Sequence, residues 1–152
     1  MRKLFVLLAI LTIAMMLAAC GGGGAAEPAP AAPSGGAAPT GGNADNGKVL
    51  FSQAVLAGNA GCSTCHSLEP GKVIVGPSMA GIGTRAATTV AGQTAEQYIR
   101  TSIVKTNEYL AKGCNAADLN ADCPAGVMLQ DWEQKLKPEE INDLVAYLQT
   151  LK

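Results

Sequence analysis

Cys62-Ser63-Thr64-Cys65-His66 constrains this 152-residue chain more than any other stretch. Two thiols separated by two residues and followed at once by an imidazole have the spacing of a haem attachment site. The spacing lets both sulfurs add across vinyl groups on one porphyrin edge, while His66 swings under the ring as an iron ligand. Three other readings use the same residues. A redox dithiol wants a βαβ setting, whereas the flanking patterns are helical. A zinc site would recruit Cys62, Cys65, Cys114 and Cys123. A coincidence in a loop is the third. With a single C-x-x-C-H and no internal repeat, the expected cofactor is one covalent haem c.

Met1-Arg2-Lys3, the apolar run Leu4–Leu17 and Ala18-Ala19-Cys20 read as an export signal over residues 1–19: a basic start, an apolar middle and small residues at the cut. The apolar run is shorter than the roughly 20 residues of a spanning helix. Leu17-Ala18-Ala19-Cys20 resembles the bacterial lipobox, which makes Cys20 the expected site of lipidation. Removing 1–19 leaves nine Lys and Arg against twelve Asp and Glu, and the basic residues form no cluster, so a nucleic-acid partner is not expected. Residues 20–42 are the lipidated cysteine and a stretch of Gly, Ala and Pro, a flexible tether whose r.m.s. span as a coil is about 25 Å.

Residues 43–152 have the size of one small domain. Gly47, Phe51, Ala54 and Val55 predict one face of a helix over 45–57, with Asn43 or Asp45 as its cap and Gly47 as a point of close backbone approach. The segment containing Gly76-Pro77-Ser78-Met79 reads as a loop, with Lys72–Val75 at most a short extended piece. Thr94 and Gln97 form a capping box before Tyr98, Ile99, Ile103 and Val104. Ile141, Leu144, Val145, Leu148 and Leu151 predict a last helix, with Pro138 in its first turn and Leu136 stapled onto Ile141. Lys137 falls on the capping position and is a poor cap, so this helix is expected to fray at its start. Tyr98, Tyr109 and Trp132 are either core or neighbours of the ring.

These pieces resemble the class I bacterial cytochromes c over most of residues 46–152: Gly47 and Phe51, the C-x-x-C-H, Gly76-Pro77, a late methionine, and a terminal helix with Tyr147. The resemblance implies an all-α fold around one covalent haem, with the first and last helices crossing at a glycine and an aromatic. It implies that the Pro77 carbonyl accepts the His66 Nδ1–H, which orients the ring and raises its basicity. It also implies that Met128 is the second axial ligand. Met79 is the alternative, at a place where the family usually has a leucine packing on the ring. The family often has proline after the ligand methionine, and Leu129 stands there instead. Cys114 and Cys123 frame an eight-residue insert before that methionine. Outside the cytoplasm their natural state is a disulfide, worth about 3 kcal/mol by chain entropy, two free thiols being the alternative.

With both axial positions filled, such an iron has no open site for substrate and passes single electrons. The resulting expectation is a monomeric carrier, not an enzyme, lipid-anchored on the outer face of the cell membrane. Its partners would be a quinol-oxidising complex, a terminal oxidase or a photosynthetic reaction centre. A haem-based sensor or peroxidase-like protein with a labile sixth ligand is the competing class.

Overall fold

The computed structural model describes residues 41–152. The expected export signal, Cys20 and all but the last two residues of the expected tether lie outside the described residues. Among the described residues no helix is long and apolar enough to cross a membrane.

Helix α1 spans Ala44–Ser52, and Asn43 caps it by accepting from the Asp45 and Asn46 amides at 2.9 and 3.1 Å. It ends earlier than the apolar spacing predicts. Ala54 and Val55, expected on its buried face, lie beyond it, and Val55 is 66% exposed. The chain instead makes a tight antiparallel hairpin, β1 (Val55–Leu56) with β2 (Asn59–Ala60). Its turn takes Ala57 and Gly58 through positive φ, the geometry that a two-residue hairpin needs to match strand twist. Only Leu56 of the hairpin strands enters the core. A local turn preference thus overrode the helical period.

The haem motif opens a single turn, α2 (Cys62–Cys65). After a long loop come α3 (Ile82–Thr89) and α4 (Ala95–Val104), then the short α5 (Trp132–Lys135) and α6 (Pro138–Thr150). The capping box of α4 forms as expected: Thr94 Oγ1 accepts from the Gln97 amide, and Gln97 Oε1 from the Thr94 amide. The start of α6 is firmer than its cap residue suggests, because Glu140 reaches back to accept from the Lys137 amide at 2.8 Å. Leu136 and Ile141 are both buried, as the staple requires.

Helices α1 and α6 make the closest crossing. A Cβ built on Gly47 would lie 1.9 Å from the Asp143 carbonyl oxygen, so only glycine allows this approach. Phe51 packs on Tyr147 beside it, with ring centroids 5.6 Å apart. The Asp143 carboxylate accepts from the Asn43 amide at 2.6 Å. On the other side of α6, Gly83 lets α3 come against Gln149, and its amide donates to the Leu151 carbonyl at 2.8 Å. Arg100 of α4 donates to Asn142 of α6 at 2.7 Å. Ala86, Ile99, Leu144 and Val145 lie deepest in the core that these helices share.

Gly47→Ala should destabilise the holoprotein by about 1–3 kcal/mol, since the gain in helix propensity is smaller than the cost of forcing two backbones apart. Thermal unfolding followed by circular dichroism checks this, with Val49→Ala, 63% exposed on the same helix, as a comparator expected within about 0.5 kcal/mol of the parent.

Candidate haem site

The hairpin seats the C-x-x-C-H. The Gly61 amide donates to Ala54 O at 2.9 Å, and Thr64 Oγ1 donates to the same carbonyl at 3.0 Å. Ser63 Oγ reaches Ser52 O at 3.3 Å. Gly61 is again a contact that tolerates no side chain, its virtual Cβ falling 1.9 Å from Gln53 O. The turn of α2 is thereby pinned to the end of α1, and Cys62, Cys65 and His66 face one cavity.

Past the motif, the chain returns alongside it. His66 and Val73 form an isolated antiparallel bridge, so the extended piece expected at 72–75 is reduced to one pairing residue. The Val75 and Gly76 amides both donate to Cys65 O, at 3.2 and 2.9 Å. The Met79 amide donates to Ser67 O at 2.8 Å. This lays Pro77 beside the imidazole, and its carbonyl oxygen is 2.9 Å from His66 Nδ1. The carbonyl has no proton, so Nδ1 carries the hydrogen and Nε2 keeps its lone pair. Gly76 makes room for the ring, because a Cβ there would come within 2.4 Å of it. Burial lowers the His66 pKa, opposed by the bond to Pro77, so the imidazole stays neutral as an iron ligand must.

The cavity holds about 920 Å³, near the upper end of the range for cofactor sites. Its apolar lining includes Phe51, Ile82, Ile99, Trp132, Leu136 and Leu144. Met79 and Met128 both line it and are both half-buried, so the fold brings the two candidate sulfur ligands to one space. Cys114 and Cys123 form a disulfide on the same wall, with Cα atoms 5.1 Å apart. That bond removes both sulfurs from any four-thiolate zinc site. A redox dithiol at Cys62 and Cys65 fares no better, because burial pushes the Cys62 thiol up to about 11, whereas such chemistry needs a lowered value.

Polar groups of the cavity fit a ring with carboxylate arms. Ser102 Oγ and Thr106 Oγ1 are buried in its wall without a hydrogen-bond partner among the described residues. A buried hydroxyl left so costs about 1–3 kcal/mol, and a ring with carboxylate arms supplies acceptors for both. Tyr109 lies on the same wall, stacked on Tyr98 at 6.2 Å, and its hydroxyl accepts from Gln93 Nε2 at 2.7 Å. Trp132 completes the three aromatics, so all of those expected either in the core or near the ring do line the cavity. Arg85 also lines it, donating to the carbonyls of Ser78 and Ala80.

Sequence reading missed Arg85, Ser102 and Thr106. Tyr98, Ser102 and Thr106 recur every fourth residue, a signal that both hydroxyls fall on the side of Tyr98, Ser102 within α4 and Thr106 just past its end. Arg85 had no such signal, because the sequence pattern assigns no element to 82–89.

The sequence profile of the Cytochrome c family matches residues 44–152. Cytochrome c2 iso-2 of Magnetospirillum molischianum is 33% identical over 97 residues, which covers 63% of this chain and 96% of that protein. Cytochrome c2 iso-2 of Magnetospirillum fulvum is 32% identical over 91 residues, 59% of this chain and 91% of the relative. No solved structure matches at the same stringency. Apolar cavity, oriented imidazole, paired thiols and profile agree: the chain belongs to the cytochrome c family, carries one covalent haem c, and is a single-haem electron carrier.

Proposed function

We propose that this chain is a membrane-anchored electron shuttle in which Cys62 and Cys65 hold the haem, His66 and Met128 are the axial ligands, and Cys20 carries the lipid. The observation that carries the site assignment is the 2.9 Å bond from His66 Nδ1 to Pro77 O, which leaves Nε2 as the nitrogen for iron in a cavity that Met128 also lines. Haem iron supplies a one-electron couple, and a thioether ligand favours the ferrous state and so raises the potential. The chain's part is to fix the imidazole, keep a sulfur opposite it, and hold the ring dry.

Between the two methionines, backbone position favours Met128. Met79 stands two residues after Pro77 and is bonded to Ser67 O, next to His66 in the pairing that supports the histidine side. Met128 comes from the separate segment between α4 and α5. There the Gly126 amide donates to Asn107 Oδ1 at 2.9 Å, and the 114–123 disulfide braces the approach. Two backbone bonds, Gly113 N to Ala121 O and Cys123 N to Ala111 O, add to that brace. With sulfur and imidazole both bound, the iron offers no vacant position for substrate.

The donor and acceptor are redox complexes outside the cytoplasm: a quinol-oxidising complex on one side, a terminal oxidase or reaction centre on the other. A lipid at Cys20 and a tether of about 25 Å would confine a domain of about 13 Å radius of gyration near the membrane and raise its effective concentration toward the millimolar range.

Acid–acetone extraction of the purified protein should leave one haem on the polypeptide, with sharp reduced bands and a weak sulfur-to-iron band near ~700 nm on oxidation. Free haem in the solvent, or two haems per chain by mass, contradicts the site. Met128→Ala should abolish the weak band, admit cyanide or carbon monoxide, and lower the midpoint potential, whereas Met79→Ala should retain ligation and cost about 2–4 kcal/mol of packing. The opposite pattern exchanges the two roles. Cys20→Ser should release the protein from membranes in a fractionation experiment; retention after signal cleavage rules out the anchor.

A further inference from the structure

The insert closed by Cys114 and Cys123 is tied up within itself. Asn115 Oδ1 accepts from the Ala117 amide and Asp118 Oδ1 from the Asn120 amide, both at 2.9 Å, so each is an Asx turn. The Asp118 amide donates to Asn115 O and the Ala121 amide to Asp118 O, both at 3.1 Å. Lys112 spans the base, its Nζ 3.5 Å from the Asp122 carboxylate and donating to Asn120 O at 2.9 Å. Each of these bonds begins and ends between Lys112 and Asp122. Together they make a stiff knob without fixing where it rests on the domain.

It rests on the histidine side. A Cβ built on Gly113 would meet Pro77 Cβ at 3.5 Å and Leu119 O at 3.8 Å, so the Gly113 backbone passes between the proline ring and the turn that carries Leu119. Its φ of +92° is one that glycine adopts without strain. Leu119 is the one large apolar side chain between the two cysteines, and it does not line the haem cavity. It faces instead a second, smaller cavity of about 180 Å³, shared with Val73, Pro77 and Ser78 of the histidine-side loop. Pro77 is thus enclosed from two directions: His66 Nδ1 lies 2.9 Å from its carbonyl oxygen, and Gly113 stands against its ring.

We propose that the insert is a clamp on Pro77, and that Leu119 is a positioning residue for His66. The proposal rests on His66 binding haem iron, the reading given above. Position in the chain ties the insert to Met128, but its contacts reach the other axial ligand as well. A carbonyl held on Nδ1–H makes the imidazole a stronger donor to iron, which favours the ferric state. When Pro77 is free to tilt, that bond lengthens, the imidazole donates less, and the midpoint potential rises. Loss of the sulfur ligand moves the potential the other way, because a thioether favours the ferrous state. The two faces of the ring therefore give opposite signs.

Leu119→Ala in the holoprotein tests this, since Leu119 is half-exposed and outside the haem cavity. Two quantities are read: the midpoint potential by redox titration, and the solvent exchange of the His66 Nδ1 proton by NMR of the ferrous protein. The potential is expected to rise while the weak sulfur-to-iron band persists, and the proton to exchange about tenfold faster. Leu119→Met, of similar volume, should return both to the parent values. If Leu119→Ala loses its haem bands, Leu119→Val replaces it and should shift both quantities in the same direction. Loosening of the fold alone would leave the potential of the folded protein in place. A fall in potential with loss of the weak band overturns the proposal, because the insert then acts on Met128. An unchanged potential and exchange rate overturn it too. A parent protein without haem bands overturns the cofactor reading instead, so the two failures are distinct.

Discussion

The crossing of α1 and α6 at Gly47 is the contact on which the remaining geometry depends. Two backbones meet there with no side chain between them, and the Asp143 carbonyl occupies the space that any other residue would need. Once α1 is fixed against α6, the position of Ser52 is set. The hairpin that starts three residues later then delivers Gly61 and the thiols to the cavity. The placement of Cys62, Cys65 and His66 is therefore inherited from a helix crossing, through a turn and three hydrogen bonds, rather than made locally. A helix of one turn has little stability of its own, so α2 needs this external hold.

A second hold works on the imidazole itself. His66 is oriented by a carbonyl, which accepts one proton and offers none, and so settles the imidazole tautomer without adding charge to a buried space. Proline suits the position because its carbonyl is offered while its nitrogen asks for no partner. Gly76, just before it, clears the volume the ring occupies. The pair Gly76-Pro77 is thus one device with two functions, steric and electronic.

How much of this was legible in the sequence follows from how local each signal is. The capping box at Thr94, the apolar stripe of α6 and the need for glycine at 47 are carried by residues a few positions apart, and all three are found. The early end of α1 was not legible, because Ala54 and Val55 continue the helical period while the chain obeys a turn at Ala57-Gly58 instead. Helix α3 was hidden by composition. It begins after Gly81, contains Gly83 and ends in Thr88-Thr89, poor helix formers that only packing against α4 and α6 makes helical. In the site, the thiols and the histidine announce themselves by spacing. Ser102 and Thr106 do not, since a hydroxyl on or just past a helix acquires meaning only when the surrounding wall is known to be apolar.

The bond from the Asn43 amide to Asp143 spans one hundred positions, and so joins the beginning of the domain to its last helix. Contacts of that sequence separation are reached late, because the intervening loop must close before any reward is gained. A chain made from its amino end therefore has its first helix waiting for its last. During that wait the thiols of the C-x-x-C-H lack the support that α1 gives them once docked. The order of synthesis thus leaves an interval in which the cysteines are open to covalent chemistry, and the arrival of α6 brings it to a close.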